Sequence, residues 1–457
     1  MVCCSWGQVS RVDKTNSPIL MHLPLGKSRI SADGQVVQNK GVGNPLPLGD
    51  SKFKFNLRIF MLKRPFLKLL GASVVLPSLQ SFAQTTGKAI KIGSTLSLTG
   101  PLAGTAVVHK IAGEIFVELL NKRGGLLGRQ VEWSVKDDQS KPDLARTLYE
   151  QLITGDKVDL LMGPYATANT LAAMGVAQRN GKVLVSNSFG IPSLAKYDMH
   201  FPGYVIGAIP GTTVPTLVLE AILASGGSPK TVSLVSSKFP SVIFMSEGAR
   251  EVFKKRGLKE NLWLEWEFGT KDFGPIASRL KEANADFVWV GSIGPESVQL
   301  LEAMDKIDYH PKIHFHLYPS PGAMSQSPLA KNALTLTTFE QHPPFTNSAV
   351  YADVIKLYND RAAKANLPDT VFELQAANAY TGWQILEAGV KGSGSLEDRK
   401  IADWLKANKV DTIIGRVRFD GPNNYGDDLN RVKQLQNGKW VVLFPKEMAL
   451  PGGKMVL

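Results

Sequence analysis

From residue 88 onward, short apolar runs alternate with longer stretches of helical period, and this alternation restricts the fold more than any other property of the chain. Residues 160–190 show the unit most clearly. The run Leu160-Leu161-Met162 is broken by Gly163-Pro164, where the backbone can turn. Tyr165, Ala166 and Thr167 lead into an alanine-rich helix predicted over 169–178, which Asn180-Gly181 stops. A strand over 183–185 follows and ends in the small or polar residues Ser186, Asn187, Ser188 and Gly190. In an open parallel sheet, ligands bind beyond the carboxyl ends of the strands. Both strand ends here offer hydroxyls and free backbone N–H groups, and the first opens a helix N-terminus, which favours an anion. Such a site can hold a carboxylate without a dedicated arginine. An ordinary βαβ unit with polar loops has the same pattern, so pattern alone leaves both readings open.

The alternation continues along the chain. Strands are predicted over 90–96, 130–136, 231–235, 262–268, 287–290 and 312–317. Helices are predicted over 106–122, 142–154, 214–224, 242–256, 275–283 and 295–305. This order gives an α/β fold, with parallel sheets covered by helices on both faces. Pro-rich loops at 319–328 and 342–344 interrupt it. Three helices, 348–365, 372–390 and 396–408, come next. A tail of short strands over 415–443 turns at Gly421-Pro422-Asn423-Asn424 and Asn437-Gly438.

A length of 457 residues accommodates two or three domains. The net charge of +12 would suit a nucleic acid or a membrane surface, but +8 of it lies in residues 1–83. The remainder carries no basic footprint, so nucleic acid is rejected as a partner. Both cysteines, Cys3 and Cys4, also lie in that leader, which leaves the rest without a disulfide, a zinc-thiolate site or a cysteine nucleophile. Residues 1–60 show no sustained periodicity and read as disordered, or as upstream sequence from a misplaced start. Met61 begins a different pattern. Lys63, Arg64 and Lys68 precede an apolar run over 69–79, too short to span a bilayer, and Ser81-Phe82-Ala83 supplies small residues at a cleavage site. Residues 61–83 therefore read as a signal peptide for the Sec or twin-arginine route, which predicts export to the periplasm.

Several segments, taken in order, resemble the leucine/isoleucine/valine-binding protein family. They are Lys91-Ile92-Gly93, Ser97-Leu98-Thr99-Gly100-Pro101, the run Asn121 to Arg129, and Asp137-Asp138. Val158 to Pro164 and Ala285 to Gly291 are similar to its strand ends, and the resemblance covers residues 88–443. That family supplies type I solute-binding proteins to ABC importers. The resemblance implies two Rossmann-like lobes with parallel sheets, joined by three hinge crossovers and closing on a ligand. One lobe would hold 88–208 and 338–414, the other 209–337 and 415–457. It implies a small-molecule ligand, membrane permease subunits as partners, a monomer and no cofactor.

Carried over residue by residue, the family's carboxylate site falls on Ala166, Thr167, Ser188 and Gly190. Thr167 keeps a hydroxyl where serine is usual, and Gly190 loses one where threonine is common. Thr105 matches a position that is often aromatic. The family's second-lobe acid, which holds a ligand ammonium, has no counterpart: residues 316–321 offer Tyr318 and no carboxylate. A buried ammonium without a partner is costly. The resemblance therefore implies an organic acid, aromatic ones included, at least as readily as an α-amino acid.

Other signals carry less. His314-Phe315-His316 puts two imidazoles on one strand face without a visible third metal ligand. Phe287 and Trp289, and the helical set Trp383, Leu386 and Val390, read as core. Asp137 and Asp138 point to opposite faces and cannot share one site. No P-loop, G-x-G-x-x-G, G-x-S-x-G or H-E-x-x-H motif occurs, which speaks against an enzyme. A ligand-sensing regulator of the same fold is the alternative to an importer's binding component.

Overall fold

A computed structural model describes residues 87–457 apart from Ser320. The signal-peptide reading of 61–83 and the extension 1–60 lie outside these residues.

The first sheet takes its strands from the start of the described chain. They are β1 (Ile90–Leu96), β2 (Val131–Asp137), β3 (Leu160–Met162), β4 (Leu184–Ser186) and β5 (His200–Pro202). All pairs are parallel and the order is β2-β1-β3-β4-β5. Parallel neighbours require crossovers, and helices α1 (Ala103–Lys122), α2 (Pro142–Glu150) and α3 (Thr167–Arg179) supply three of them. Helix α2 ends earlier than its sequence pattern suggests, in one wide turn over Gln151–Gly155.

The second sheet is larger. Helices α4 (Pro210–Ala224), α5 (Pro240–Lys255), α6 (Gly274–Ala283) and α7 (Glu296–Asp305) alternate with β6 (Thr231–Ser237), β7 (Lys259–Trp266), β8 (Phe287–Gly294) and β9 (Ile313–Pro319). Proline stands in the first turn of α2, α4, α5 and α6, where its missing N–H costs no hydrogen bond. Past the short helix α8 (Pro321–Gln326), β10 (Leu334–Thr337) joins β9 in parallel. The sequence pattern showed neither α8, β5 nor β10. Strands of three or four residues, buried on every side, carry no alternation to detect.

The chain then returns to the first sheet as α9 (Ala352–Lys364), α10 (Leu374–Ser393) and α11 (Asp398–Ala407). A small hairpin, β11 (Val410–Thr412) and β12 (Gly415–Val417), follows. The chain comes back a last time as the hairpin β13 (Arg431–Gln436) and β14 (Lys439–Phe444), which extends the second sheet to β14-β13-β10-β9-β8-β6-β7. Asn437 and Gly438 take positive φ at its turn, as their sequence predicts. The chain thus passes between the sheets three times.

Each sheet has its own core. Helix α10 is buried almost all round: Trp383, Leu386 and Val390 pack with Phe116 and Ile115 of α1 over the first sheet. Phe287, Trp289 and Phe315 fill one face of the second sheet, as expected of its strands. No described helix is long and apolar enough to cross a membrane.

Candidate functional site: a cleft between the two sheets

The carboxyl ends of β3, β4, β8 and β9 meet across a cleft. One wall is the β3–α3 turn (Tyr165, Ala166, Thr167), the segment after β4 (Asn187, Ser188, Gly190), Tyr204 and the first turns of α10 (Leu374, Gln375, Asn378). The other wall is Phe239, Ser241, Ile293 and Tyr318.

The first wall follows from its sequence. Gly163 is needed because a Cβ there would lie 2.9 Å from Cα of Ser186. Three residues later Ala166 takes φ 75°, ψ 148°, a region that normally belongs to glycine. That conformation turns the chain into α3, whose N-terminus no side chain caps. The N–H groups of its first turn have no acceptor within the helix, and the macrodipole makes that end electropositive. Two of the backbone N–H groups assigned above to a ligand are already used inside the wall. Ala166 N–H donates to Ser188 Oγ at 2.9 Å and Gly190 N–H to Thr167 Oγ1 at 3.1 Å. Thr167 can still donate its hydroxyl proton into the cleft.

Gly190 has a further role. A Cβ on it would come within 2.8 Å of Ser241 Cβ, which opens α5 on the opposite wall. The missing side chain therefore lets the two walls touch.

Four aromatic rings line the cleft, those of Tyr165, Tyr204, Phe239 and Tyr318. Tyr204 donates to the Tyr318 hydroxyl at 3.3 Å, and Tyr318 itself is held at φ 49°, strained for a bulky residue. Burial pushes the Tyr318 and Tyr165 hydroxyls up to about 12, so both stay neutral. Thr105 is not among the lining residues. It sits in the first turn of α1 and acts on the Tyr165 hydroxyl, favouring its ionised form against the effect of burial.

Sequence reasoning placed Asn187 at the polar strand end without assigning it to the ligand, and it missed Tyr204 and the α10 residues. Gln375 Oε1 meets His109 Nε2 at 3.0 Å, and burial lowers the His109 pKa to about 4, so the imidazole is neutral. His109 Nδ1 and Asn187 Oδ1 are buried without a partner among the described residues. Helix α10 lies over 180 residues from the β3–α3 turn in sequence, and nothing local marks it as part of a site.

Among the described residues no charged side chain lines the cleft. Behind Leu374 lies a buried cluster: Lys433 Nζ donates to Glu340 Oε1 and approaches Glu373 Oε2 at 3.4 Å.

The other singled-out groups have structural roles. Asp138 accepts from Thr95 Oγ1 at 2.8 Å and Ser97 Oγ at 2.7 Å, while Asp137 accepts from Leu98 and Thr99. The two carboxylates brace the β1–α1 loop on separate sides. His314 Nδ1 and His316 Nε2 hydrogen-bond each other at 3.0 Å within the second lobe. Among the described residues no three His, Cys, Asp or Glu side chains form a metal-binding group.

One parallel sheet and one mainly parallel sheet, to which β13 and β14 add antiparallel, with a cleft between the carboxyl ends of their parallel strands, define the class. Residues 89–439 match the family model described as periplasmic binding protein, and the chain belongs to that family. Within it, the chain is similar to Leu/Ile/Val-binding proteins. It is 24% identical over 365 residues to a leucine-, isoleucine-, valine-, threonine- and alanine-binding protein of Pseudomonas aeruginosa, covering 78% of this chain and 91% of that one. It is also 24% identical over 336 residues to the Leu/Ile/Val-binding protein of Escherichia coli K12, covering 72% and 86%. Among solved structures, the leucine binding protein LivK of Thermotoga maritima superposes with a TM-score of 0.66 at 18% identity, covering 78% of this chain and 97% of that one. A solute binding protein of an ABC transporter from R. palustris, in complex with benzoate, gives 0.66 at 18% identity, covering 78% and 96%.

Proposed function

We propose that this protein is the periplasmic solute-binding component of an ABC importer. It captures a small organic acid, aromatic acids included, between two lobes and delivers it to a membrane permease. One lobe comprises 88–208 and 338–414, the other 209–337 and 415–457.

The observation that carries the reading is the pairing of an uncapped helix N-terminus with a cleft that has aromatic rings and no charged lining side chain. The α3 N-terminus and the Thr167 hydroxyl receive the carboxylate. Ala166, Ser188 and Gly190 shape that wall, and Tyr318, Tyr204 and Phe239 pack on the body of the ligand. Thr105 acts through Tyr165. No carboxylate among the lining residues answers an α-ammonium, which favours an acid over an amino acid. Closure through the three crossings couples capture to a shape that a permease can read. The relatives are binding proteins, and the cleft holds no nucleophile–base pair, so binding without turnover is the function proposed.

A thermal-shift panel of amino acids, benzoates and aliphatic acids tests this. A ligand at about a hundred times its Kd stabilises the folded protein by about 2.7 kcal/mol, a shift of several degrees. A shift with benzoate-type acids supports the reading. Tight leucine or valine binding with those acids silent would overturn the ligand assignment.

A further inference from the structure

We propose that Glu373 couples capture of an anionic ligand to uptake of a proton, and so acts as a specificity-determining residue that favours monoanions over zwitterions. This rests on the acid-binding reading above.

Glu373 is the N-cap of α10, accepting from Gln375 N–H at 3.1 Å. The next two residues, Leu374 and Gln375, line both the ligand cleft and a second, smaller pocket, which Glu373, Lys433 and Trp440 also line. The carboxyl thus belongs to the residue directly before the cleft wall and lines the pocket next to it.

The cluster is unbalanced. Lys433, Glu340 and Glu373 side chains are 3–5% exposed, and one ammonium faces two carboxyls. The neighbouring elements supply no second cation. Asp369, in the loop before α10, adds negative charge beside both carboxyls. Tyr358 of α9 and Tyr165 of the β3–α3 turn also face Glu373, and burial keeps both phenols neutral. His342, beside Lys433, is held below its ordinary pKa by burial. The Trp440 ring lies 4.9 Å from Lys433 Nζ, and its buried indole N–H has no partner among the described residues. Arg431, two residues along β13, interacts with Asp428 and Glu447 instead.

With both carboxyls ionised, the site carries a surplus negative charge in a medium where charge is poorly screened. A single proton removes the surplus of the Lys433–Glu340–Glu373 cluster itself. Glu340 is in direct hydrogen-bond contact with Lys433, whereas Glu373 is more distant, so Glu373 is the group that takes the proton. Burial raises its pKa to about 6. An anion entering the cleft adds a negative charge on the other side of Leu374 and strengthens the hold on that proton. A zwitterion brings an ammonium as well and gains less from the protonated form.

Isothermal titration of the full-length protein with benzoate, in buffers of different ionisation heat, tests the coupling. The expected result is uptake of a fraction of a proton per benzoate near pH 6–7 and binding roughly fivefold weaker at pH 8 than at pH 5.5. Glu373→Gln keeps the cap acceptor and should abolish both the uptake and the pH slope. Benzoate that binds with no proton uptake overturns the coupling, as does a Glu373→Gln protein that keeps the slope. Benzoate that fails to bind at any pH overturns the acid-binding reading, and the coupling with it.

Discussion

Ala166 and Gly190 occupy each other's expected conformations. Alanine takes the left-handed backbone at φ 75°, and Gly190 is needed for space, not for a positive φ. A non-glycine residue in that region costs on the order of 1–3 kcal/mol. Ala166→Gly should therefore raise the melting temperature of the ligand-free protein by a few degrees, and differential scanning calorimetry checks it. Gly190→Thr adds a hydroxyl to the cleft wall, yet its Cβ would meet Ser241 Cβ at 2.8 Å. The variant should weaken ligand binding by at least about tenfold, since a lost fit of about 1.4 kcal/mol already gives that factor. Titration calorimetry measures the loss. Small-angle scattering should show the lobes held further apart, and a Ser241→Gly second substitution should recover part of the affinity.

Helix α10 joins the core of the first sheet to the wall of the cleft. Its lower turns pack Trp383 between Phe116 and Trp133, with Trp133 edge-on at 5.0 Å. The packing needs Gly113 of α1, where a Cβ would lie 2.6 Å from Trp133 and 2.8 Å from Trp383. Gly113→Val should destabilise the first lobe by about 1–3 kcal/mol through overpacking. Trp383→Ala should cost about 3–5 kcal/mol through the cavity it leaves. Thermal melts followed by near-ultraviolet circular dichroism read both, because buried, packed indoles contribute to that signal. The sequence marked Trp383, Leu386 and Val390 as a core stripe. It could not show that Leu374, Gln375 and Asn378 of the same helix reach the cleft, because that depends on where the helix docks.

The Lys433 cluster ties together all three layers that the chain visits: β13 of the second sheet, the segment after β10, and the start of α10 on the first. Removing the cation leaves two buried carboxyls uncompensated, and breaking a buried pair in this way costs about 3–5 kcal/mol. Lys433→Met should therefore melt well below wild type at pH 7. The sign of its pH dependence follows from the carboxyls. Burial already raises Glu340 and Glu373 above their unfolded values, and losing Lys433 raises them further. Stability is then present at low pH and lost as pH rises through the folded pKa, so the deficit should shrink from pH 8 to pH 5. A deficit independent of pH would show that Lys433 acts through packing on Trp440 alone.

Periodicity and breakers sufficed for much of this protein. The strand–helix alternation, the Gly163-Pro164 break, the Asn180-Gly181 stop and the Asn437-Gly438 turn are local consequences of backbone sterics, and each is found where the residues put it. Thr167, Ser188 and Tyr318 stand at strand ends, so topology alone places them near a cleft. Tertiary structure decided the rest. Strands β5 and β10 exist only because a neighbour pairs with them. Two N–H groups that looked free are taken by Ser188 and Thr167 across 22 and 23 residues. Tyr204, Asn187, Gln375 and the Lys433 cluster reach the site through contacts between segments far apart in the chain. Backbone conformation is a property of a few neighbouring residues, whereas charge balance and the walls of a cleft depend on which distant residues the fold brings within a few ångströms.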